Sequence, residues 1–304
     1  MKSAHEAVRP TTIVEAPRLS SLLGVDLVIA SETFQYTGSF KFRAAYSVAA
    51  GVPNEKIITA SSGNFGQAMA YACRILGKSC TIVMPDTSAR VKVEAVREFG
   101  GLVDLIEVRS ISRAVRVARL AEEAPDAYVA SAYDDDLVIE GNSTLGDELC
   151  GLDRHIDVIV APVGGGGLTS GIVTGVRRSF GRMEIVGAEP LLANDAARSF
   201  RENRLIANEA EPQTIADGAR TVSLGQRNWK ILREGLAGIV EVPEEAIKAA
   251  VCHLFNLANL KSEPTGALSI GALLTDPGRF AGKTVCCVIS GGNVDPAVFR
   301  EIIE

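Results

Sequence analysis

Short apolar runs alternate with amphipathic segments along most of this 304-residue chain. The runs are rich in Val, Ile and Ala and are apolar throughout rather than at every second residue, which is typical of parallel strands covered on both faces. We predict strands at Asp26–Ala30, Lys56–Ala60, Cys80–Met84, Val103–Val108, Asp157–Val163, Glu184–Ala188, Gly238–Val242 and Thr284–Ser290. Between them we predict helices that include Gln67–Leu76, Ala89–Phe99, Arg113–Glu122, Leu168–Arg178 and Glu244–Leu257. The pattern predicts an α/β fold of open parallel sheets with helices on both faces.

Charge and cysteine content exclude several classes of partner. A net charge of −6 without a basic run argues against nucleic acid as a partner. The N-terminal segment lacks the apolar core of a signal peptide, and no stretch approaches ~18 apolar residues, so we expect neither export nor membrane insertion. The six cysteines form no C-x-x-C pair and no Cys/His spacing resembles a zinc motif, so we expect a cytoplasmic protein with reduced thiols.

A lysine follows a glycine and a hydroxyl in the segment Thr37-Gly38-Ser39-Phe40-Lys41. Aromatic residues at 40 and 42 flank it, which predicts partial burial beside a tight polar turn. A partly desolvated lysine has a lowered pKa, and this is the condition for Schiff-base chemistry. A solvated surface lysine is the alternative interpretation of this segment taken alone.

Four consecutive glycines, Gly164, Gly165, Gly166 and Gly167, come between a predicted strand and a predicted helix. Glycines let backbone N–H groups approach an anion, and a helix N-terminus adds a positive dipole, so we predict a phosphate site. The run is neither a P-loop nor a complete G-x-G-x-x-G, although Glu189 lies near the ribose-binding offset of a dinucleotide fold. A plain strand–helix turn is the alternative.

Two further polar turns follow predicted strands. Ser61-Ser62-Gly63-Asn64 precedes a helix, so its polar side chains are consistent with helix capping and with binding of a carboxylate by free N–H groups. Ser290-Gly291-Gly292-Asn293 ends the last predicted strand. Because ligands of open α/β sheets bind beyond the carboxyl ends of the strands, we expect these turns to lie together in a cleft.

Taken together, these segments resemble the fold-type II pyridoxal phosphate enzymes, the tryptophan synthase β family, and within it the serine/threonine dehydratase and serine racemase branch. The resemblance spans nearly the whole chain. Its motifs, in family order, are FQYTGSFKFRAA, SSGNFGQA, PVGGGGLTSGI, GAEPLLAND, TIADGAR, SEPTGA and SGGN.

The resemblance implies a role for each matching residue toward pyridoxal 5'-phosphate. Lys41 would hold the cofactor covalently and act as the base at Cα. Asn64 would bind the 3-hydroxyl of the cofactor. Ser290 would meet its ring nitrogen as a neutral hydroxyl, which weakens the electron sink and favours β-elimination. The further cofactor-binding residues implied are Phe40, Gly164, Gly165, Gly166, Gly167, Leu168, Gly218 and Glu263.

It also implies substrate and metal sites. Ser61, Ser62, Gly63, Asn64, Phe65 and Arg113 would contact the substrate. Ser62 would be the acid/base on the face opposite the lysine, the residue that permits racemisation. Glu189, the carbonyl of Ala193 and Asp195 follow the divalent-metal pattern of this branch, and such oxygen ligands suit Mg²⁺ or Ca²⁺.

Several positions depart from the branch. Phe65 replaces a histidine beside the substrate and makes the pocket more apolar, and Tyr133 stands about where an asparagine is usual. Asn142-Ser143 replaces a common Gln-Gly pair. These changes leave the cofactor residues in place, so the substrate itself is where we expect this chain to differ.

We therefore predict a pyridoxal phosphate-dependent ammonia-lyase that converts a β-hydroxy amino acid such as serine or threonine to a 2-keto acid and ammonia, with racemisation as an accompanying or main activity. Three alternatives stay open: a β-replacement synthase of the cysteine synthase kind, a nucleotide-dependent dehydrogenase, and a binding protein without catalysis. We expect a homodimer of two-domain subunits. Residues 1–55 and 135–304 would form the large cofactor-binding domain, and residues 56–134 a small mobile domain.

Overall fold

The computed structural model describes residues 4–61, 63–88, 90–107 and 109–304, with the backbone alone for Val91. Strands within these residues form two sheets. The strands are β1 (Thr12–Val14), β2 (Asp26–Ser31), β3 (Lys56–Ala60), β4 (Ser79–Pro85), β5 (Leu102–Ile106), β6 (Tyr128–Ala130), β7 (Val158–Pro162), β8 (Glu184–Pro190), β9 (Gly238–Val242) and β10 (Thr284–Ile289).

Helices connect the strands and cover the sheets. They are α1 (Ala4–Ala7), α2 (Pro17–Leu23), α3 (Lys41–Gly51), α4 (Asn64–Leu76), α5 (Arg90–Glu98), α6 (Arg113–Glu123), α7 (Asp136–Cys150), α8 (Gly167–Arg178), α9 (Asp195–Glu202), α10 (Gln226–Gly235), α11 (Glu244–Ala258), α12 (Leu268–Thr275), α13 (Pro277–Phe280) and α14 (Pro296–Ile303). Short 3₁₀ turns lie at Leu191–Ala193, Asp217–Ala219 and Thr265–Ala267.

The larger sheet has six strands in the order β1-β2-β10-β7-β8-β9. All neighbouring strands in it are parallel except β1, which pairs antiparallel with β2 at one edge. The smaller sheet has four parallel strands in the order β5-β4-β3-β6. The predicted α/β architecture is confirmed, and the antiparallel edge strand makes the larger sheet mixed.

Both faces of the larger sheet are buried, as the unbroken apolar runs predict. In β2, Leu27 and Ile29 face one core with α2, α11 and α12, whereas Val28 and Ala30 face a second core with α7, α8 and α10. Successive side chains of a strand point to opposite faces, so a strand covered by helices on both sides must be apolar at every position. A third core joins α3 and α4 to the smaller sheet.

The predicted strands at Lys56–Ala60 and Gly238–Val242 have the observed bounds, and the other six agree to within two residues at each described end. Two predicted ends, Val108 and Ala89, lie outside the described residues. The sequence did not reveal β1 and β6, because each has only three residues. In the described part of the chain, no helix combines the length and apolar character needed to span a membrane.

Candidate active site

A cleft of about 570 Å³ lies where loops from both sheets meet. Its walls come from the turns that follow β3, β6, β7 and β10, together with the start of α3. Parallel strands place their carboxyl ends at the same edge of a sheet, which explains why turns far apart in the sequence share one cavity. The four segments singled out by the sequence analysis all contribute lining residues.

Lys41 is the first residue of α3, and its side chain reaches into the cleft. Its Nζ donates a 2.9 Å hydrogen bond to the carbonyl of Ala132 and lies 4.9 Å from the ring centre of Phe40 and 5.8 Å from that of Phe65. Burial lowers the pKa of Lys41 to about 8, against the opposing influence of the Glu263 charge. A sizeable fraction of this amine is therefore neutral near physiological pH and available as a nucleophile or base.

The turn before Lys41 has an unusual backbone. Thr37 has φ +66° although it is a β-branched residue, and Gly38 follows with φ +73°. Asn293 secures the turn, because its Nδ2 donates to the Thr37 carbonyl at 2.7 Å and a Cβ on Gly38 would lie 2.4 Å from its Oδ1. Strained backbone of this kind persists only where the surrounding structure holds it. The SGGN turn thus fixes the approach of the chain to the lysine.

A buried ionic network holds α3 itself. The fully buried guanidinium of Arg43 binds both carboxylate oxygens of Glu32, at 2.8 and 2.9 Å, and both of Glu148, at 2.7 and 3.0 Å. Glu32 follows β2 and Glu148 lies on α7, so the network ties the first turn of α3 to two other elements. Lys41 is two residues from this anchor.

The glycine loop, Gly164 to Gly167, also lines the cleft. Gly166 has φ +92°, and α8 begins at the next residue. A Cβ on Gly165 would lie 2.4 Å from Cγ of Tyr133, so a side chain there would displace the aromatic ring. Asn228 holds the loop by donating from Nδ2 to the carbonyls of Gly165 and Tyr133 at 2.8 and 2.9 Å. The first N–H groups of a helix have no partner within it, so this loop presents free donors to an anion.

The turn after β3 forms the N-terminus of α4. Ser61 Oγ accepts hydrogen bonds from the N–H groups of Gly63 and Gly66 at 3.3 and 3.0 Å. Ser61, Gly63, Asn64 and Phe65 all line the cleft. Ser62 lies outside the described residues. The positive end of α4 and its free N–H groups suit a carboxylate.

Asn64 and Glu263 line the cleft and contact each other. Asn64 Nδ2 donates to Glu263 Oε1 at 2.8 Å, and Asn64 Oδ1 accepts from Asn293 Nδ2 at 2.9 Å. Burial, with a contribution from the Asp217 charge, raises the pKa of Glu263 to about 7. Glu263 is therefore a carboxyl that changes protonation state near neutral pH within this site.

Every described residue of the predicted cofactor and substrate sets lines this one cavity, including Arg113, Leu168, Gly218 and Ser290. Sequence reasoning missed Ala132, Lys92 and Arg220. A backbone carbonyl such as that of Ala132 leaves no signal in the side-chain pattern. Arg220 is the last residue of the TIADGAR motif, and its charge within that motif could have identified it as a site residue.

The predicted metal ligands lie outside the cleft, with Glu189 near the end of β8 and Ala193 and Asp195 shortly after that strand. Glu189 and Asp195 are both buried, and burial with the neighbouring Asp195 charge raises the pKa of Glu189. Asp195 Oδ1 accepts from Asn208 and Oδ2 from the N–H of Leu224, at 2.9 and 3.0 Å. No three His, Cys, Asp or Glu side chains gather as a metal set in the described part of the chain. The candidate set has two such carboxylates and the carbonyl of Ala193.

The cleft residues fit pyridoxal phosphate. The phosphate needs free N–H donors, which the glycine loop and the start of α8 supply, and the aldehyde needs an amine of lowered pKa, which Lys41 supplies. Ser290 is buried at the cleft and offers a neutral hydroxyl to the ring. A volume of about 570 Å³ accommodates the cofactor with a small substrate.

Comparisons with known proteins agree with this geometry. Residues 4–291 match the family described as pyridoxal-phosphate dependent enzyme. The chain is 33% identical over 303 residues to the β-hydroxyaspartate dehydratase of Paracoccus denitrificans, covering 97% of this chain and 95% of that protein. It is 33% identical over 301 residues to human serine racemase, covering 96% and 88%. The crystal structure of the T.th. threonine deaminase superposes with a TM-score of 0.90 at 38% identity, covering 95% and 94%.

Proposed function

This chain belongs to the family of pyridoxal-phosphate dependent enzymes, and we propose that it eliminates the β-hydroxyl group of a β-hydroxy amino acid to yield a 2-keto acid and ammonia. The observation that carries the proposal is the position of Lys41. Its amine, with the pKa lowered to about 8, shares one cleft with a glycine loop for phosphate and a helix N-terminus for carboxylate.

Each part of the cleft has a task in this reaction. The bound cofactor supplies an electron sink for the bond electrons released at Cα. The N-terminus of α4 binds and orients the substrate carboxylate. Lys41 Nζ takes the Cα proton, and the Ala132 carbonyl holds that nitrogen in place through the 2.9 Å hydrogen bond. The rings of Phe40 and Phe65 beside Nζ exclude water and keep the amine desolvated.

Relatives named for the same chemistry support the proposal. The Paracoccus denitrificans protein is a β-hydroxyaspartate dehydratase and the T.th. structure is a threonine deaminase. Serine, threonine and 3-hydroxyaspartate are therefore the substrates to assay first, following ammonia and the 2-keto acid. Formation of a new amino acid only when a thiol or amine is added would instead indicate β-replacement.

Racemisation is a second candidate activity because human serine racemase is among the relatives. The role proposed for Ser62 as the second acid/base rests on the family resemblance alone. A Ser62→Ala variant is expected to lose racemisation of L-serine, measured by chiral chromatography, while it retains elimination. Equal survival of both activities would remove that role from Ser62.

We also propose three features beyond the chemistry. Residues 56–134 would form a small domain that closes over the substrate against residues 1–55 and 135–304. Glu189, Asp195 and the Ala193 carbonyl would bind Mg²⁺ or Ca²⁺, since a cation would offset the repulsion between two adjacent buried carboxylates. The protein would act as a cytoplasmic homodimer.

A further inference from the structure

Among the described residues that line the cleft, cationic side chains outnumber carboxylates. Four are cationic and three are carboxylates. The cations are Lys41, Lys92, Arg113 and Arg220, and the carboxylates are Glu211, Asp217 and Glu263.

Two of the four cations form ion pairs, Lys92 Nζ with Asp217 Oδ2 at 2.5 Å and Arg113 Nη2 with Glu211 Oε2 at 3.2 Å. A third, Lys41, donates to the Ala132 carbonyl and is the residue that would hold the cofactor. Among these described lining residues, the cation left over is Arg220.

Arg220 makes no ion pair with any carboxylate in the described ranges. The hydrogen bond that orients its side chain runs from Nε to the carbonyl of Thr214 at 2.8 Å. This bond fixes the plane of the guanidinium through one nitrogen and leaves the two terminal nitrogens for a ligand. A planar fork of this kind binds a carboxylate through two parallel hydrogen bonds.

The anchor also shows which part of the cleft the guanidinium serves. Thr214 lies three residues after Glu211, whose carboxylate meets Arg113 on α6. The guanidinium of Arg220 is therefore tied to the segment that meets α6, while the backbone of its neighbour Ala219 packs against Gly164 of the glycine loop. The loop meets its anion with backbone N–H groups. The position favours a substrate group over the cofactor phosphate as the partner of Arg220.

The surroundings of Arg220 also favour a negatively charged ligand. Arg220 lines the cleft without a carboxylate partner among the described residues, and a cation in such a cleft attracts a negatively charged ligand. The α-carboxylate of an amino acid already has a site at the N-terminus of α4. With the cofactor phosphate assigned to the glycine loop, the negative charge that faces Arg220 would come from the substrate side chain.

We propose that Arg220 binds the side-chain carboxylate of the substrate, so that the preferred substrates are 3-hydroxy dicarboxylic amino acids of the 3-hydroxyaspartate class. This inference rests on the proposed β-elimination and names its substrate class. For 3-hydroxyaspartate, loss of water and its return on hydrolysis give one molecule of the 2-keto dicarboxylic acid and one of ammonia, with no oxidant or reductant.

Binding tests the proposal without turnover. Calorimetric titration of the holoenzyme with succinate and with butyrate compares a dicarboxylate with a monocarboxylate of the same chain length. Succinate should bind at least about tenfold more tightly, and Arg220→Gln should remove the difference, because the second carboxylate then has no charged partner. Arg300→Gln is the charge-matched control, since Arg300 is exposed on α14 and does not line the cleft.

Kinetics test it with turnover. Arg220→Gln should lower kcat/KM for 3-hydroxyaspartate by about 100-fold and that for serine or threonine by less than about threefold, because a site built for a polar group discriminates strongly when the partner is lost. Arg220→Lys keeps the charge without the fork and should give an intermediate value. If Arg220→Gln does not fold, the kinetics of Arg220→Lys and the wild-type preference for succinate still test whether Arg220 binds the side-chain carboxylate.

The outcomes separate the two proposals. A wild-type enzyme that eliminates serine or threonine but prefers neither succinate nor 3-hydroxyaspartate overturns the role of Arg220 and leaves the elimination standing. Equal losses for all substrates, with weaker binding of pyridoxal phosphate, assign Arg220 to the cofactor and overturn the inference. Conversion of no β-hydroxy amino acid, despite a bound cofactor and tight succinate binding, rejects the elimination and retains the dicarboxylate site.

Discussion

The side-chain amide of Asn64 donates a 2.8 Å hydrogen bond to Glu263 Oε1, and both residues line the cleft. Asn64 begins α4, which packs with the smaller sheet, and Glu263 belongs to the loop that precedes α12 on the larger sheet. Asn293 completes the contact by donating to Asn64 Oδ1 at 2.9 Å. These contacts between residues of the proposed cofactor site thus connect the two sheets directly. A change in the charge of Glu263 should therefore change the pKa of Lys41.

Replacing Lys41 with alanine should abolish elimination. The substitution removes both the covalent attachment of the cofactor and the base at Cα, and loss of the base alone costs roughly 10²–10⁴-fold in rate. Ammonia release, and the mass of the protein after borohydride reduction with pyridoxal phosphate, measure the two losses. Lys56→Ala is a matched control, because Lys56 is exposed at the start of β3 and does not line the cleft. Full turnover by the Lys41 variant would exclude the proposed mechanism.

Cofactor capture by the apoenzyme should depend on pH with a midpoint near 8. Burial lowers the pKa of Lys41 to about 8, and only the neutral amine attacks an aldehyde. The rate should fall about tenfold for each pH unit below the midpoint and level off above it, since the pKa is the point of half protonation. Stopped-flow absorbance follows the reaction. A rate that keeps rising to about pH 10, the ordinary range of a lysine, would mean that Lys41 is solvated like a surface lysine.

A Glu263→Gln variant should move that midpoint to lower pH. The negative charge of Glu263 raises the pKa of Lys41, so its removal leaves burial less opposed and the pKa falls further. The amide keeps an oxygen that can accept the hydrogen bond from Asn64, so the variant loses the charge of Glu263 but retains this contact. The same capture experiment on Glu301→Gln provides the control, because Glu301 is exposed on α14 and does not line the cleft. Identical profiles for wild type and the Glu263 variant would contradict the coupling.

Arg43→Leu should destabilise the fold strongly. It leaves the fully buried carboxylate of Glu32 and the largely buried carboxylate of Glu148 without their shared cation. Removing one partner of a buried ion pair costs about 3–5 kcal/mol of the free energy of unfolding. Urea denaturation measures the change, and Arg300→Leu on the exposed face of α14 should stay within about 0.5 kcal/mol. Similar losses for the two variants would show that the network does not stabilise α3.

The sequence predicted the architecture well because long apolar strands covered on both faces carry a strong signal. The bounds of β3 and β9 agree with the prediction, and the polar turns do lie at the carboxyl ends of strands. It failed for β1 and β6, since three residues are too few to show a period.

Contacts between residues that are far apart in the chain could not be predicted from the sequence. The contact of Asn293 with Asn64 spans 229 positions and that of Lys41 with the Ala132 carbonyl spans 91. Local composition reveals neither the network around Arg43 nor the lack of a carboxylate partner for Arg220 among the described residues. Such features depend on which loops the two sheets bring together.

Asp195→Asn should weaken both metal binding and phosphate binding. Asp195 Oδ2 accepts from the N–H of Leu224, and the next residue, Gly225, donates its N–H to the Gly165 carbonyl at 3.1 Å. The candidate metal site is therefore joined to the glycine loop through a short stretch of backbone. Mg²⁺ bound to the folded state should raise the Tm of wild type by mass action, and should raise it less in the variant.

Thermal melts with Mg²⁺ and titrations with pyridoxal phosphate measure the two effects of this substitution. Asp153→Asn serves as the control, because Asp153 lies outside both the candidate metal set and the cleft. A variant with normal cofactor affinity but no response to Mg²⁺ would separate the metal from the glycine loop. If neither Mg²⁺ nor Ca²⁺ changes the Tm of wild type, protonation rather than a metal keeps the buried pair of Glu189 and Asp195 neutral. Burial raises the pKa of both carboxyl groups, which favours their protonated form.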